Sequence, residues 1–173
     1  CAALGHPLVV TMSAGNSPAR ARTLEALGAE VVLVAQVDGA PGEVTGADIA
    51  AAAERARGIA KDRGGFYVDQ FHAVEAVAAH RDGTGAEILA QAGRVDAWVA
   101  CVGTGATFLG VARALSAAGG ALCVAVEPAG SEPLSGRGVR KPRHVIQGCG
   151  YGQVPPHWDA GLVGRVETVT DAE

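Results

Sequence analysis

The sequence predicts an α/β fold of open, mostly parallel sheets with helices on both faces, and two observations carry that expectation. Short β-branched apolar runs, at Leu8 to Val10, Val31 to Val34, Ala97 to Val102 and Leu122 to Val126, alternate with segments of helical character. Strands that read as continuous apolar runs are those covered on both faces by crossover helices. Composition agrees: the 173 residues are 49% hydrophobic, 18% charged and 4% aromatic, with 25 glycines and 8 prolines. That balance excludes a disordered chain, a collagen and a disulfide-stapled miniprotein.

The elements follow in order. Leu8 to Thr11 opens a strand, Ser13-Ala14-Gly15-Asn16 makes a polar loop, and Ser17-Pro18 supplies a cap residue with proline at the first helical position. The helix so begun stops at Gly28 and hands over to the strand Val31 to Val34. Past the turn-rich Asp38 to Gly42, the Ala-rich stretch Ala47 to Asp62 is an amphipathic helix ended by Gly64-Gly65. Phe66-Tyr67-Val68 is expected to be a strand, Val74 to His80 a short helical turn, and Glu87 to Ala92 a helix stopped by Gly93. The strand Ala97 to Val102, a Gly-rich turn, the helix Leu109 to Ala118 and the strand Leu122 to Val126 form a further strand–helix–strand unit. From Pro128 to Trp158 the chain is rich in Pro and Gly, and an irregular segment of that length lines a site or an interface. Val166 to Thr170 reads as a last strand, with Asp171-Ala172-Glu173 opening another helix, while Ala2 to Pro7 reads as the end of one. Both ends read as cuts, so the chain is expected to be a fragment.

Charge narrows the partners. The 14 basic residues are scattered among 18 acidic ones for a net charge of −4, which leaves no footprint for nucleic acid or an anionic membrane. The apolar stretches fall short of the ~20 residues of a membrane span. Cys1, Cys101, Cys123 and Cys149 lack metal-ligand spacing and read as buried thiols of a reducing cytosol. A cytoplasmic protein with small-molecule partners and no metal is the expectation.

The turn Gly103-Thr104-Gly105-Ala106-Thr107 lies after a strand and before a helix, where unpaired amides and the positive end of the helix dipole form an anion site. Glycines let the backbone approach closely and the threonine hydroxyls add donors, so phosphate is the natural ligand. A dinucleotide fingerprint is excluded because Phe108 stands where its third glycine belongs, although Glu127 ends the next strand where a ribose-binding acid would sit. A P-loop fails because neither lysine, Lys61 or Lys141, follows a Gly-rich turn. One phosphate on a smaller cofactor remains.

The residues also carry a resemblance. Thr11-Met12 with Ser17 and Arg20, Leu27 to Leu33, Asp69-Gln70-Phe71, His80 with Thr84 to Ile88, Val95-Asp96-Ala97 leading to Val102 to Gly105, Val126-Glu127-Pro128 with Ser131, and His144 to Gly150 stand in the order and spacing of a known group. The chain resembles the pyridoxal-phosphate enzymes of fold type II, the tryptophan synthase β group, and within it the cysteine synthases and O-acetylserine sulfhydrylases.

The resemblance implies two domains with pyridoxal 5'-phosphate in the cleft, residues 1–70 belonging to a smaller mobile domain and 71–173 to a larger cofactor-binding one. It implies that Gly103, Thr104, Gly105, Ala106 and Thr107 hold the cofactor phosphate, that Gly148 lines the cofactor plane, and that Gln70 reaches the substrate α-carboxylate. His80 and His144 match positions read as structural; His6, His72 and His157 read as solvated or capping. The Schiff-base lysine is expected upstream, so this chain holds no catalytic residue, and the Ser or Thr facing the pyridine nitrogen is expected downstream. The implied reaction is β-replacement on an amino acid with a β leaving group, such as O-acetylserine with sulfide, in a homodimer. Departures and the absent lysine keep two alternatives open. Ala106 replaces the usual third glycine, adding a methyl expected near the phosphate. Pro18-Ala19 replaces an apolar–Glu pair, and Ala73-Val74-Glu75-Ala76 replaces Asn-Pro-Ala-Asn. A β-eliminase or dehydratase of the same fold fits, as does a non-catalytic paralogue acting as a binding partner.

Overall fold

The computed structural model describes residues 1–141, 144–146 and 148–172. Gln147 of the His144 to Gly150 motif and Glu173 of the closing helix signal lie outside them. The chain divides into two compact units, Cys1–Val68 and Asp69–Glu173.

In the first unit, β1 (Val9–Ser13) and β2 (Glu30–Val34) pair in parallel, from Val9 opposite Glu30 to Ser13 opposite Val34. The connecting helix α1 (Pro18–Ala26) starts at Pro18 as read, though Ser17 makes no side-chain cap bond. Helix α2 (Gly46–Arg63) packs on β1, burying Ala52 and Ile59, and Thr11 donates its hydroxyl to the Ala52 carbonyl at 2.8 Å. Its start is fixed by a capping box: Thr45 Oγ1 accepts from the Asp48 amide, and the Asp48 carboxylate accepts from the Thr45 amide at 2.9 Å. The same buried carboxylate accepts from the amides of Val37 and Asp38 at 2.7 and 3.3 Å, so one side chain closes the helix and the loop after β2. The expected strand at Phe66 to Val68 is not formed. Phe66 is 90% exposed, and with no strand paired to it the apolar residues do not hold an extended ladder; the Tyr67 ring instead lies beneath the Arg57 guanidinium at 5.5 Å.

In the second unit, β3 (Ala97–Cys101), β4 (Leu122–Pro128) and β7 (Arg165–Val169) form a parallel sheet in the order β3-β4-β7. Helices α3 (Val74–Ala79) and α4 (Ala86–Ala92) are joined by a π-helical stretch, His80–Gly85, where separate helices were expected. Helix α5 (Ala106–Ala117) begins three residues earlier than its sequence pattern suggests and packs against that stretch. The packing is close because both sides are glycine. A methyl on Gly110 would lie 2.6 Å from the Val77 carbonyl oxygen and from His80 Cβ, and one on Gly85 2.5 Å from Ala114 Cβ. The core gathers Val77, Val102, Ala106, Phe108, Leu109, Ala112, Cys123 and Ala125.

At the far end of α5 the chain returns to β4 through Gly119-Gly120, both exposed with positive φ (114° and 90°) and open space around them. The irregular segment after β4 contains only the two-residue antiparallel pair β5 (Ser131–Glu132) and β6 (Gly138–Val139) among its described residues. No helix among the described residues is long and apolar enough to cross a membrane. The expectation of four buried thiols is corrected: Cys123 and Cys149 are buried, but Cys1 and Cys101 are exposed. Cys101 ends β3 on the strand face that alternation turns away from the core.

Candidate functional site

The parallel strand β3 delivers the chain, through Val102, Gly103 and Thr104, to the N-terminus of α5. Gly105 caps that helix in the left-handed region (φ 87°), and no side chain bonds its first turn. The first helical bond runs from the Leu109 amide to the Gly105 carbonyl at 2.9 Å, which leaves the preceding amides free of helical partners. Positive dipole, unsatisfied donors and small residues therefore coincide at one point.

A returning loop fixes that turn from outside. Gly150 donates its amide to the Val102 carbonyl at 3.2 Å, and the Trp158 ring lies 5.6 Å from Phe108. A Cβ on Gly103 would meet the Gly148 carbonyl oxygen at 2.5 Å, and one on Gly105 would meet Pro155 at 3.3 Å. Gly103 is needed because backbone passes backbone there, and Gly105 because its φ is positive and the Pro155 ring stands where a side chain would begin. Gly148 itself has φ 89°, is exposed, and has open space where a side chain would project.

Thr104 is half-buried and Thr107 exposed. The Thr107 hydroxyl lies 3.0 Å from His80 Nε2, and His80 Nδ1 lies 3.0 Å from the Thr84 hydroxyl. In the His80 tautomer protonated at Nε2, Thr84 donates to Nδ1, Nε2–H donates to Thr107, and the Thr107 proton is left for an outside acceptor. The π-helical stretch makes this possible by placing His80 and Thr84 on the side of α5. His80 thus has the structural role read for it, now with named partners. The Ala106 side chain is 5% exposed and belongs to the core cluster, because the first position of α5 faces inward.

Gln70 is exposed on the turn that opens the second unit, where Asp69 takes a positive φ of 37° and its carbonyl accepts from His72 and Ala73. The adjacent Phe71 ring meets Tyr151 edge-on at 6.0 Å between centroids, and Tyr151 Cε2 lies 3.6 Å from the Cβ position of Gly103. An aromatic pair thereby links the Gln70 turn to the Gly-rich turn. Tyr151 was not singled out in the sequence; an aromatic between Gly150 and Gly152 was the available signal.

Other candidates resolve as scaffolding. Glu127 is 2% exposed and accepts from the Leu134 and Ser135 amides at 2.9 and 3.0 Å, so its carboxylate closes a loop. His144 donates Nε2–H to the Gly150 carbonyl at 3.0 Å. His72 is exposed beside Asp69, as expected, whereas His157 is half-buried with Nε2 lacking a partner among the described residues, which corrects its reading as solvated or capping. Lys141 is held by Asp171 at 2.7 Å, and Lys61 is exposed in the last turn of α2.

The family model for pyridoxal-phosphate dependent enzymes matches residues 1–173. The chain belongs to that family. Among other pyridoxal-phosphate dependent enzymes, it is 35% identical over 175 residues to a cysteine synthase of Haemophilus influenzae, covering 97% of this chain and 53% of that protein. The crystal structure of cysteine synthase from Entamoeba histolytica superposes with a TM-score of 0.81 at 29% identity, over 98% of this chain and 48% of that one. An O-ureido-L-serine synthase superposes with a TM-score of 0.82 at 31% identity, over 99% of this chain and 52% of that one. The chain thus spans about half the length of the relatives it matches. Pyridoxal 5'-phosphate is the cofactor of the family, and the residues present suit its phosphate: an uncapped helix start, a backbone crossing with no room for a methyl, and two threonine hydroxyls.

Proposed function

We propose that this chain is the phosphate-holding and carboxylate-binding part of a cysteine synthase-like enzyme that replaces the β substituent of an amino acid, O-acetylserine with sulfide being the pair that the relatives suggest. The observation that carries this reading is the Gly103 to Thr107 turn, uncapped at α5 and pressed against Gly148. Bound pyridoxal phosphate supplies an electron sink for the carbanion formed when the substrate loses its α-proton. The amides of Gly103, Thr104, Gly105, Ala106 and Thr107 hold the phosphate, with the Thr104 and Thr107 hydroxyls as further donors. His80 orients the Thr107 hydroxyl toward it. Gly148, open on one side, leaves room for a flat ring. Gln70 binds the substrate α-carboxylate through its amide and so fixes the direction of the α-C–H bond. The Schiff-base lysine belongs to a segment outside this chain.

The reading extends to a cytoplasmic homodimer whose mobile and cofactor domains correspond to residues 1–70 and 71–173. One observation keeps elimination as a second reading: Ala73 to Ala76, which replaces the family's Asn-Pro-Ala-Asn, forms the cap and first turn of α3 directly after the Gln70 turn. Both readings are tested on the full-length protein, by the visible spectrum before and after borohydride, a peptide map of the reduced protein, and product analysis with and without sulfide. Cysteine formed from O-acetylserine only when sulfide is present supports replacement, and pyruvate formed without it supports elimination. A colourless protein that takes up no pyridoxal phosphate overturns both in favour of the non-catalytic paralogue.

A further inference from the structure

The backbone on both sides of Tyr151 is clamped. Gly150 donates its amide to the Val102 carbonyl at 3.2 Å, and its own carbonyl accepts from Ser131 Oγ at 3.1 Å and from His144 Nε2 at 3.0 Å. Gly150 and Gly152 both take positive φ (67° and 74°); a methyl on Gly150 would lie 2.4 Å from Pro128 Cγ, and one on Gly152 3.2 Å from Val139 Cγ2. The half-buried Tyr151 ring is thereby held against Gly103, with Cε2 3.6 Å from the Cβ position there, and meets the half-buried Phe71 ring edge-on at 6.0 Å. Both rings belong to the second unit. Phe71 stands on a strained turn: Asp69 has φ 37° without being glycine, a conformation that persists only where its surroundings fix it. The carbonyl of Asp69 accepts from the His72 and Ala73 amides at 3.0 and 2.9 Å, and the Phe71 ring, one residue after the exposed Gln70, supplies the packing.

We propose that Tyr151 is a positioning residue for the amino-acid substrate, acting through Phe71 on Gln70; the inference rests on Gln70 as the carboxylate-binding side chain of the function proposed above. An edge-on aromatic pair is directional as well as apolar, because the positive rim of one ring meets the negative face of the other. Clamped at its own backbone, Tyr151 is the fixed member of the pair, and Phe71 with the Gln70 turn is the member it orders. The same ring borders the Gly103 turn, so the carboxylate subsite and the phosphate turn are held at one separation, which a substrate reaching from carboxylate to cofactor has to match. Without the pair, Gln70 has to be ordered when the substrate binds, and that ordering is subtracted from the affinity. Tyr151 in this role tunes the grip on the substrate and leaves the grip on the cofactor to the backbone crossing at Gly103.

The test titrates the full-length holoenzyme calorimetrically with L-alanine, which carries the carboxylate but no β leaving group, and follows cofactor retention on dialysis in parallel. Tyr151→Leu and Phe71→Leu should each weaken L-alanine binding by between about twofold and tenfold, the range an aromatic pair is worth, with cofactor retention as in wild type. The double variant should lose no more than either single one, Tyr151→Phe should restore the affinity, and Tyr151→Leu should add nothing in a Gln70→Ala background. Wild-type binding by Tyr151→Leu, with Gln70→Ala weakened, overturns the positioning role alone. A Tyr151→Leu loss that adds in full to that of Gln70→Ala does the same. Wild-type binding by Gln70→Ala overturns the carboxylate reading, and the role of Tyr151 falls with it. If Tyr151→Leu fails to fold, Phe71→Leu decides from the other side of the pair.

Discussion

Gly103 tolerates no methyl group without displacing the Gly148 carbonyl 2.5 Å from where it would lie. Gly103→Ala is expected to cost about 1–3 kcal/mol through overpacking and to weaken cofactor retention, read by the fluorescence of bound pyridoxal phosphate during dialysis. Replacing both Thr104 and Thr107 by valine keeps the shape and removes two donors, so retention should fall while the melting temperature changes little; unchanged retention would remove both from the phosphate site. Gln70→Ala should raise the KM for the amino-acid substrate about tenfold or more, as loss of a hydrogen bond to a charged group implies, and leave the cofactor spectrum intact. Residue by residue, the Gly-rich turn was legible because glycine and threonine between a strand and a helix admit few other uses. The His80 tie to Thr107 was not, since it joins residues 27 apart through a π-helical stretch that has no sequence signature. The inward direction of the Ala106 side chain was hidden for a related reason: a methyl's facing depends on where the helix begins, and the pattern put that start three residues late.

Helix α2 shows how one side chain governs an element. Burial acts to raise the pKa of Asp48, and the amides of Thr45, Val37 and Asp38 with the Thr45 hydroxyl outweigh it, holding the carboxyl below its ordinary value. Asp48→Asn keeps the volume but loses the charge that four donors share, and should destabilise by about 2 kcal/mol, measured as a lower urea midpoint. The same sequence stretch was readable as a helix from its composition and glycine stop, but the capping box lay hidden because Thr45-Gly46-Ala47-Asp48 has aspartate where glutamate or glutamine marks the motif. Phe66 to Val68 failed in the opposite sense. Its residues favour strands, yet a strand exists only with a partner to share its hydrogen bonds. Gly110→Ala would push α5 off the π-helical stretch and should loosen the His80–Thr107 contact, visible as a change in the chemical shifts of the His80 ring.

For the molecule as a whole, carboxylates of depressed pKa set the acid limit. Asp48 in the first unit and, in the second, Glu132, held down by the Gly130 amide and then Arg137, and Asp171, held down by Lys141 and the Val145 amide, all lie below their ordinary values. Groups lowered on folding contribute stability that is complete above the unfolded value and is lost as pH falls through the folded one. The stability of the chain should therefore begin to fall below about pH 4, read as a dropping midpoint of thermal unfolding by far-ultraviolet circular dichroism. The class of fold was legible at this scale from the alternation of runs, but their burial was not. Leu33 and Val99 are 59% and 58% exposed, Val99 because it lies with Cys101 on the face of β3 that alternation turns away from the core. The parallel order has a last consequence, for tolerance to insertion. Every loop that follows a strand of the β3-β4-β7 sheet leaves by its carboxyl edge, where the Gly103 turn lies, while Gly119-Gly120 enters β4 at the opposite edge with open space around it. A peptide tag or a fluorophore-bearing loop spliced between those two glycines would be carried on the side of the sheet away from the chemistry.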